Sequence, residues 1–421
     1  MTAATMAGAP AARHGRRAGN AAGRRTRVLL IQEAMGGGCA RHTIDLALGL
    51  DPGLFDVSLV YGAKRADRYF RSRAGELASR VRLIRCDDLV REISPAHDWR
   101  ALLAVTGLIR RLRPDVVHCH STKAGMIGRS AARLCRVSKV FYTPHAYAFQ
   151  SEQVSPWRRA MYVALERVMA HLATTCTFNV SEGECRVALQ RHVARPDRMC
   201  VIVNGLDDVP LPPRDEARRM LGLPLDAPVI GVVARMVDQK DPATAARIAA
   251  AVIAHDPGAH VAFVGAGPLE GEVRRLCGEL GCGANAHFLG ERSDADRIVT
   301  AFDVSLLTSL YEGMPYSLIE SLRAGVPIAA SDVTGNDEVV VDGVNGCLFP
   351  AGDVPAGAAA VERLLAGPYA PDEIRESFLG RFRLDRMVGR IAGHYLGDSD
   401  PGDPGRPPRA RRAARGRGGE R

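Results

Sequence analysis

Short apolar runs alternate with amphipathic stretches along nearly the whole chain. Residues 27–32 form an apolar run that ends at Gly36, Gly37 and Gly38 and leads into a helical pattern over 42–50, which predicts a strand, a glycine turn and a helix. Runs at 57–61, 81–84, 114–120, 140–143, 177–180 and 199–203 predict further strands. A helix is predicted over 99–112, with Leu102, Val105, Leu108, Ile109 and Leu112 along one side. Unbroken apolar strands interleaved with helices predict a parallel sheet covered on both faces. The pattern stops at 204–207, and Pro210, Pro212 and Pro213 follow. A second series then runs through 229–233, 261–264, 286–289, 304–307 and 327–330. The expectation is an α/β protein of two doubly wound domains, 27–205 and 206–381, facing each other across a cleft.

Length supports that division, because 421 residues exceed what one hydrophobic core usually serves. The ends fall outside it. Residues 1–26 and 398–421 are rich in Ala, Gly, Pro and Arg, and are expected to be disordered and basic. Charge is uneven: residues 1–200 carry 32 Lys and Arg against 16 Asp and Glu, whereas residues 201–400 carry 17 against 29. No nucleic-acid module and no basic stretch interleaved with aromatics accompanies this asymmetry, so no nucleic-acid partner is expected. An anionic membrane surface or acidic lipid acceptor fits better, beside the simpler reading of a solvated basic face. The ten cysteines include no CxxC pair, and no run of about 18 apolar residues occurs. Reduced thiols in a cytoplasmic protein, at most peripheral to the inner face of the membrane, are the expectation.

The segment Glu312-Gly-Met-Pro-Tyr-Ser-Leu-Ile-Glu320 follows the strand at 304–307. Pro315 suits the first turn of a helix and Gly325 its stop, so Glu312 precedes the helix and Glu320 lies inside it. Free amides at such a start bind phosphate, and a carboxylate five residues on sits about 7–8 Å along the axis, a reach that suits ribose hydroxyls. On its own the segment also fits two solvated glutamates flanking an ordinary helix. Arg235 and Lys240, on the loop leaving the strand at 229–233, supply cations for a diphosphate and for the charge of a departing phosphate. Gly265 and Gly267 form a close-approach turn after the strand at 261–264. His118 and His120 share a strand face, but no nearby carboxylate or Cys set completes a metal site.

Taken in order, Gly36 to Gly38, Ala234 to Lys240, Val264-Gly-Ala-Gly-Pro268, Phe288-Leu-Gly290 and Glu312-x7-Glu320 resemble the family 4 retaining glycosyltransferases of the GT-B fold, over about 27–397. His120-Ser-Thr-Lys123-Ala-Gly125-Met-Ile-Gly128-Arg129 resembles a stretch of the bacterial enzymes that build exopolysaccharide, capsule and O-antigen. The resemblance implies a nucleotide-sugar donor, with a UDP-sugar favoured, and a lipid-linked or glycan acceptor. It implies that Arg235 and Lys240 bind the diphosphate, Glu320 the ribose, and Glu312 and His145 the transferred sugar. Gly36, Gly37 and Gly38, the turn at Gly265 and Gly267, the segment Gly313, Met314, Tyr316 and Ser317, and Glu291 near the base would complete the donor site. His120 and Lys123 would stand at the cleft rim on the acceptor side of the first domain. A helix at 382–397 would return to that first domain. No metal and no other cofactor is expected, since no Asp-x-Asp segment stands at a suitable strand end. Asp241 stands where the family often has Gly. A nucleotide-sugar 2-epimerase of the same fold and a non-catalytic nucleotide-sugar-binding protein are the alternatives.

Overall fold

The computed structural model describes residues 24–151 and 154–398. The expected disordered ends at 1–26 and 398–421 lie outside the described residues, apart from 24–26 and Asp398. Thirteen strands form two sheets among the described residues. The first holds β1 (Thr26–Gln32), β2 (Phe55–Tyr61), β3 (Arg82–Arg85), β4 (Val116–His120), β5 (Lys139–Thr143), β6 (Cys176–Asn179) and β7 (Met199–Val201). The second holds β8 (Val229–Val233), β9 (His260–Val264), β10 (Ala286–Gly290), β11 (Val304–Leu307), β12 (Ile328–Ser331) and β13 (Gly346–Phe349). Every named pairing is parallel. Helices cover both faces, so the central strands are mostly apolar: Leu29, Leu30 and Ile31 of β1 are fully buried, with successive side chains entering different cores. The α/β expectation of two doubly wound domains holds.

Strand order locates the cleft. The first sheet runs β3-β2-β1-β4-β5-β6-β7 and the second β10-β9-β8-β11-β12-β13. In each, the order reverses between the first strand and a later one, at β1/β4 and at β8/β11. Connections leave such a pair in opposite directions and open a crevice at the strands' carboxyl ends. The chain after β1 carries Gly36 to Gly38, β4 ends at His120, and the loops after β8 and β11 carry Arg235, Lys240 and Glu312. The sites expected from sequence therefore sit at two crevices that face each other.

The chain passes between the domains twice, side by side. Leu206 N donates to the Phe382 carbonyl at 2.8 Å and Leu384 N to the Leu206 carbonyl at 2.9 Å. The helix Leu384–Leu396 then returns to the first domain, where Met387, Val388, Ile391 and Tyr395 join its core. β13 and the helices Val354–Ala366 and Pro371–Arg381 were not singled out by the apolar pattern.

Candidate active site

Two loop ties bring the second domain's charged residues together. Thr308 Oγ1, just past β11, lies 2.9 and 2.8 Å from the carbonyl oxygens of Lys240 and Asp241, and Gln239 Nε2 donates to the Tyr311 carbonyl at 2.9 Å. Lys240 Nζ donates to Glu312 Oε1, and the Glu312 residue is 5% exposed. Asp241 adopts φ 43, the left-handed region that explains the family's glycine. Asp tolerates that region better than most residues. Its carboxylate also caps the helix Pro242–His255 by accepting from Thr244 N at 3.2 Å.

The helix Tyr316–Ala324 starts one residue later than expected, with Pro315 as its N-cap. Glu320 lies inside it, where Arg41 Nη1 of the first domain donates to Oε1 at 2.6 Å. Arg41 also donates to Asp296 at 3.0 Å and lies 3.4 Å from Asp45. Burial raises the Glu320 carboxyl, with Arg41 opposing. The expected ribose contact is thus an ion pair that spans the two domains. A ribose bound there would have to share or displace Arg41.

From the first domain, the helix Gly37–Gly49 brings the glycine turn to the cleft. Asp67 anchors its start, accepting from Gly37 N at 2.8 Å. A Cβ on Gly37 would lie 3.8 Å from Arg235 Nε, and one on Gly38 would lie 3.2 Å from the Tyr316 ring. Gly37 and Gly38 therefore do meet Arg235 and Tyr316 across the cleft, whereas Gly36 packs within its own domain, where a Cβ would stand 2.8 Å from the Arg65 carbonyl oxygen. Gly265 and Gly267 take another part: a Cβ on either would stand 2.0 or 2.2 Å from the Ala234 or Met236 carbonyl oxygen. They let β9's turn press on the β8 loop that carries Arg235. Met314 is packed in the core, and its carbonyl accepts from Asn204 Nδ2 at 2.8 Å. Ser317 occupies the first turn of its helix, and Glu291 Oε1 accepts from Arg68 N across the cleft at 3.0 Å.

His145 and Ala146 adopt φ 54 and 76, a strained pair for non-glycine residues. Glu184, fully buried, holds this turn: its carboxylate accepts from Ala146 N at 2.6 Å and from Val180 N at 2.8 Å. Burial raises that carboxyl to about 7, against the two amide donors. Gly313 packs on the turn, with the position of a Cβ 3.1 Å from Ala146 N. The backbone after Glu312 and the turn carrying His145 are therefore neighbours across the cleft.

Two acceptor-side expectations need correction. His120 is fully buried rather than at the rim, because β4 ends beneath the helix Gly37–Gly49. Lys123 points away from the cleft, donating to Asp98 of the helix Pro95–Leu112 at 2.6 Å. The motif around it is largely packing. A Cβ on Gly125 or Gly128 would stand 2.5 Å from the Tyr142 ring or Cys119 Sγ, so the helix Thr122–Leu134 lies close on the sheet. Arg129 is fully buried, donates to Glu166 at 2.8 Å and lies 3.8 Å from the Tyr142 ring centre.

His118 is not available as a ligand. Its Nδ1 meets Tyr395 Oη at 2.6 Å and its Nε2 meets Thr143 Oγ1 at 2.9 Å. His120 instead joins His145, with Nδ1 to Nε2 at 3.3 Å, and His42. Burial, then neighbouring rings, hold His120 and His145 well below the usual histidine range, and burial takes His42 to about 4. Arg41, His42, Asn204, Asp296 and Glu184 were all missed in the sequence. The first two had a signal: with Asp45 they put charged and polar side chains on the buried part of an otherwise apolar helix.

Two family models together match most of the chain: "Glycosyl transferase 4-like domain" over residues 37–205 and "Glycosyl transferases group 1" over residues 213–378. The UDP-Gal:alpha-D-GlcNAc-diphosphoundecaprenol alpha-1,3-galactosyltransferase of Escherichia coli is 30% identical over 326 residues, 75% of this chain and 84% of that protein. A D-inositol 3-phosphate glycosyltransferase of Acidothermus cellulolyticus is 31% identical over 304 residues, 67% of this chain and 66% of its own. The structure of Anabaena Alr3699/HepE in complex with UDP and glucose matches with a TM-score of 0.72 at 19% identity, covering 89% of this chain and all of that one. None of these relatives is an epimerase. The chain belongs to the glycosyl transferases group 1 family and is a family 4 glycosyltransferase with the GT-B fold.

Proposed function

We propose that this chain moves a sugar, with retention of anomeric configuration, from a UDP-sugar to a lipid-linked diphosphate acceptor in bacterial surface polysaccharide synthesis. The observation that carries the reading is the meeting of Arg235, Lys240 and Glu312 with the glycine turn and the His145 turn at the two facing crevices. Support for donor and acceptor comes from the Escherichia coli relative, whose name gives UDP-galactose and a diphosphoundecaprenol acceptor.

Arg235 and Lys240 would hold the diphosphate and offset the charge that grows as the bond from anomeric carbon to phosphate oxygen breaks. That role would make the reaction independent of a divalent cation. The acceptor hydroxyl attacks from the leaving-group side, forms the new bond to the anomeric carbon and gives its proton to the departing phosphate. Glu312 would release Lys240 to the diphosphate and turn to the sugar beside His145. An open cavity of about 460 Å³ between the domains offers the acceptor a place, with Arg159 and Arg191 on one wall and Tyr311 on the other.

Trp157, Leu165, Val168 and Leu172 are exposed on the helix Pro156–Ala173 at spacings that share one face. Trp99 and Leu103 are exposed on the helix Pro95–Leu112, and the helix Thr122–Leu134 touches both neighbours. Exposed Arg110, Arg111, Arg133, Arg158 and Arg167 accompany them. Apolar side chains with basic flanks suit an anionic membrane, and would bring a lipid-linked acceptor to the cytoplasmic face. No helix among the described residues is long and apolar enough to cross a membrane. Incubation with UDP-sugars and a polyprenyl diphosphate-sugar, read by the mass of the lipid product and by chromatography of the nucleotide sugar against its epimer, tests the reaction. A hexose added to the lipid with UDP released is expected; UDP-sugar turnover to an isomer without acceptor would replace transfer by epimerisation.

A further inference from the structure

One ring nitrogen from each of His42, His120 and His145 lies within 4.8 Å of the others, and these rings come from three separate elements. His42 Nε2 and His120 Nε2 are buried and, among the described residues, have no hydrogen-bond partner. The residues His42 and His120 are 1% and 0% exposed. A buried polar atom without a partner costs about 1–3 kcal/mol, so a ligand that met His42 Nε2 would recover that cost.

The state of His42 can be read from its neighbour. Asn204 Nδ2 donates to the Met314 carbonyl, which turns Asn204 Oδ1 toward His42 Nδ1 at 3.0 Å. An amide oxygen can only accept, so His42 Nδ1 carries the proton and Nε2 presents its lone pair. Fixing one ring nitrogen by a hydrogen bond so that the other can coordinate is the usual outer-shell arrangement of a metal-binding histidine. The 3.3 Å between His120 Nδ1 and His145 Nε2 matches the edge of a tetrahedron whose metal–nitrogen bonds are about 2.0–2.1 Å, so His120 would coordinate through Nδ1 and its Nε2 would stay outside the site.

We propose that His42, His120 and His145 form a binding site for a zinc-class divalent transition metal, and that the bound ion blocks transfer. Three neutral imidazoles without a carboxylate select zinc, cobalt or nickel over magnesium or calcium, which take oxygen ligands. The fourth position is left to water. Coordination would fix the His145 ring and set a positive charge where the donor sugar is expected. The blocking rests on the transfer reading, whereas the binding does not. The site is inhibitory, not a source of catalytic metal.

The test is titration of chelator-stripped full-length protein with Co²⁺, followed by its visible ligand-field absorption, and back-titration with Zn²⁺. One tight equivalent is expected, weakened at least about tenfold in His42→Ala and in His120→Ala. His260→Ala serves as the control, because His260 and His287 form a close histidine pair away from the cleft cluster, with Nδ1 to Nε2 at 3.0 Å. That variant should bind the ion unchanged. Binding that survives His42→Ala, or is lost in His260→Ala, overturns the assignment. Should the cleft variants fail to fold, zinc X-ray absorption on the wild-type protein decides: three imidazole ligands support the site, and two or fewer contradict it. Transfer that is inhibited by Zn²⁺ and restored by EDTA supports the blocking; tight binding without inhibition removes that half alone.

Discussion

Glu184 touches no substrate in this account, yet its loss should cost activity. His145 and Ala146 both sit in the left-handed region, at about 1–2 kcal/mol each, and the Glu184 side chain holds the turn in that shape by accepting from two main-chain amides. Glu184→Gln keeps one acceptor and turns an NH₂ group toward the other amide. Losing one charged hydrogen bond costs about 1.5–3 kcal/mol, which lowers the population of the ordered turn, and kcat/KM with it, by about 10- to 100-fold. Adding Ala146→Gly to this variant removes about 1 kcal/mol of left-handed penalty and should recover about fivefold. Stability should behave differently. The folded state holds the Glu184 proton more tightly than the unfolded chain, at about 7 against 4.5, so ionisation of this group opposes folding. Wild-type stability should therefore fall by up to roughly 3 kcal/mol as pH rises from 4.5 through 7, a slope that Glu184→Gln lacks. Because two accepting oxygens require the carboxylate, wild-type activity should also show an acid limb near pH 7. The assays are transfer kinetics and denaturant unfolding across pH. Full activity in Glu184→Gln, or a double variant no better than the single one, would refute the reasoning.

Glu312→Gln should lower kcat by at least about 10²-fold with little change in donor affinity, measured by steady-state kinetics and UDP-sugar binding. Lys240→Ala should lose both, because the removed cation serves the diphosphate and leaves Glu312 buried without its partner. Arg129→Ala should destabilise the first domain by about 3–5 kcal/mol in denaturant unfolding, since it strands Glu166 in the interior; a change confined to acceptor KM would instead make Arg129 an acceptor residue. Arg41→Ala should change ribose recognition, read as altered discrimination between UDP and 2′-deoxy-UDP, because Glu320 loses its partner. Wild-type protein should bind anionic vesicles at low salt and release them at high salt, and Trp157→Ala with Leu172→Ala should weaken that binding.

The architecture was legible because parallel strands buried on both faces leave continuous apolar runs, and those at 229–233 and 304–307 matched β8 and β11 at both ends. β13 (Gly346–Phe349) was missed because it opens on glycine directly after Asp342, Gly343 and Asn345, residues that read as a turn. Residues at strand ends were legible for the same topological reason: Arg235, Lys240 and Glu312 all follow carboxyl ends of strands, whereas His145 was reached only through the family resemblance. What sequence spacing cannot supply is direction. Lys123 and His120 stand three residues apart, yet one turns to the Asp98 carboxylate and the other goes beneath a helix. Nor does spacing join residues across the cleft. Arg41 and Glu320 are 279 positions apart, and only the packing of two domains makes them partners.

The central claim is that Glu312, Lys240 and the facing histidine turn move a sugar from a nucleotide diphosphate to an acceptor. It is tested most directly by product mass in a reaction of UDP-sugar and polyprenyl diphosphate-sugar with EDTA present, comparing wild type with Glu312→Gln. The account predicts one added hexose with released UDP for the wild type, undiminished by EDTA, and almost none for the variant. Equal product from both proteins, or wild-type product that appears only when magnesium is restored, would contradict it.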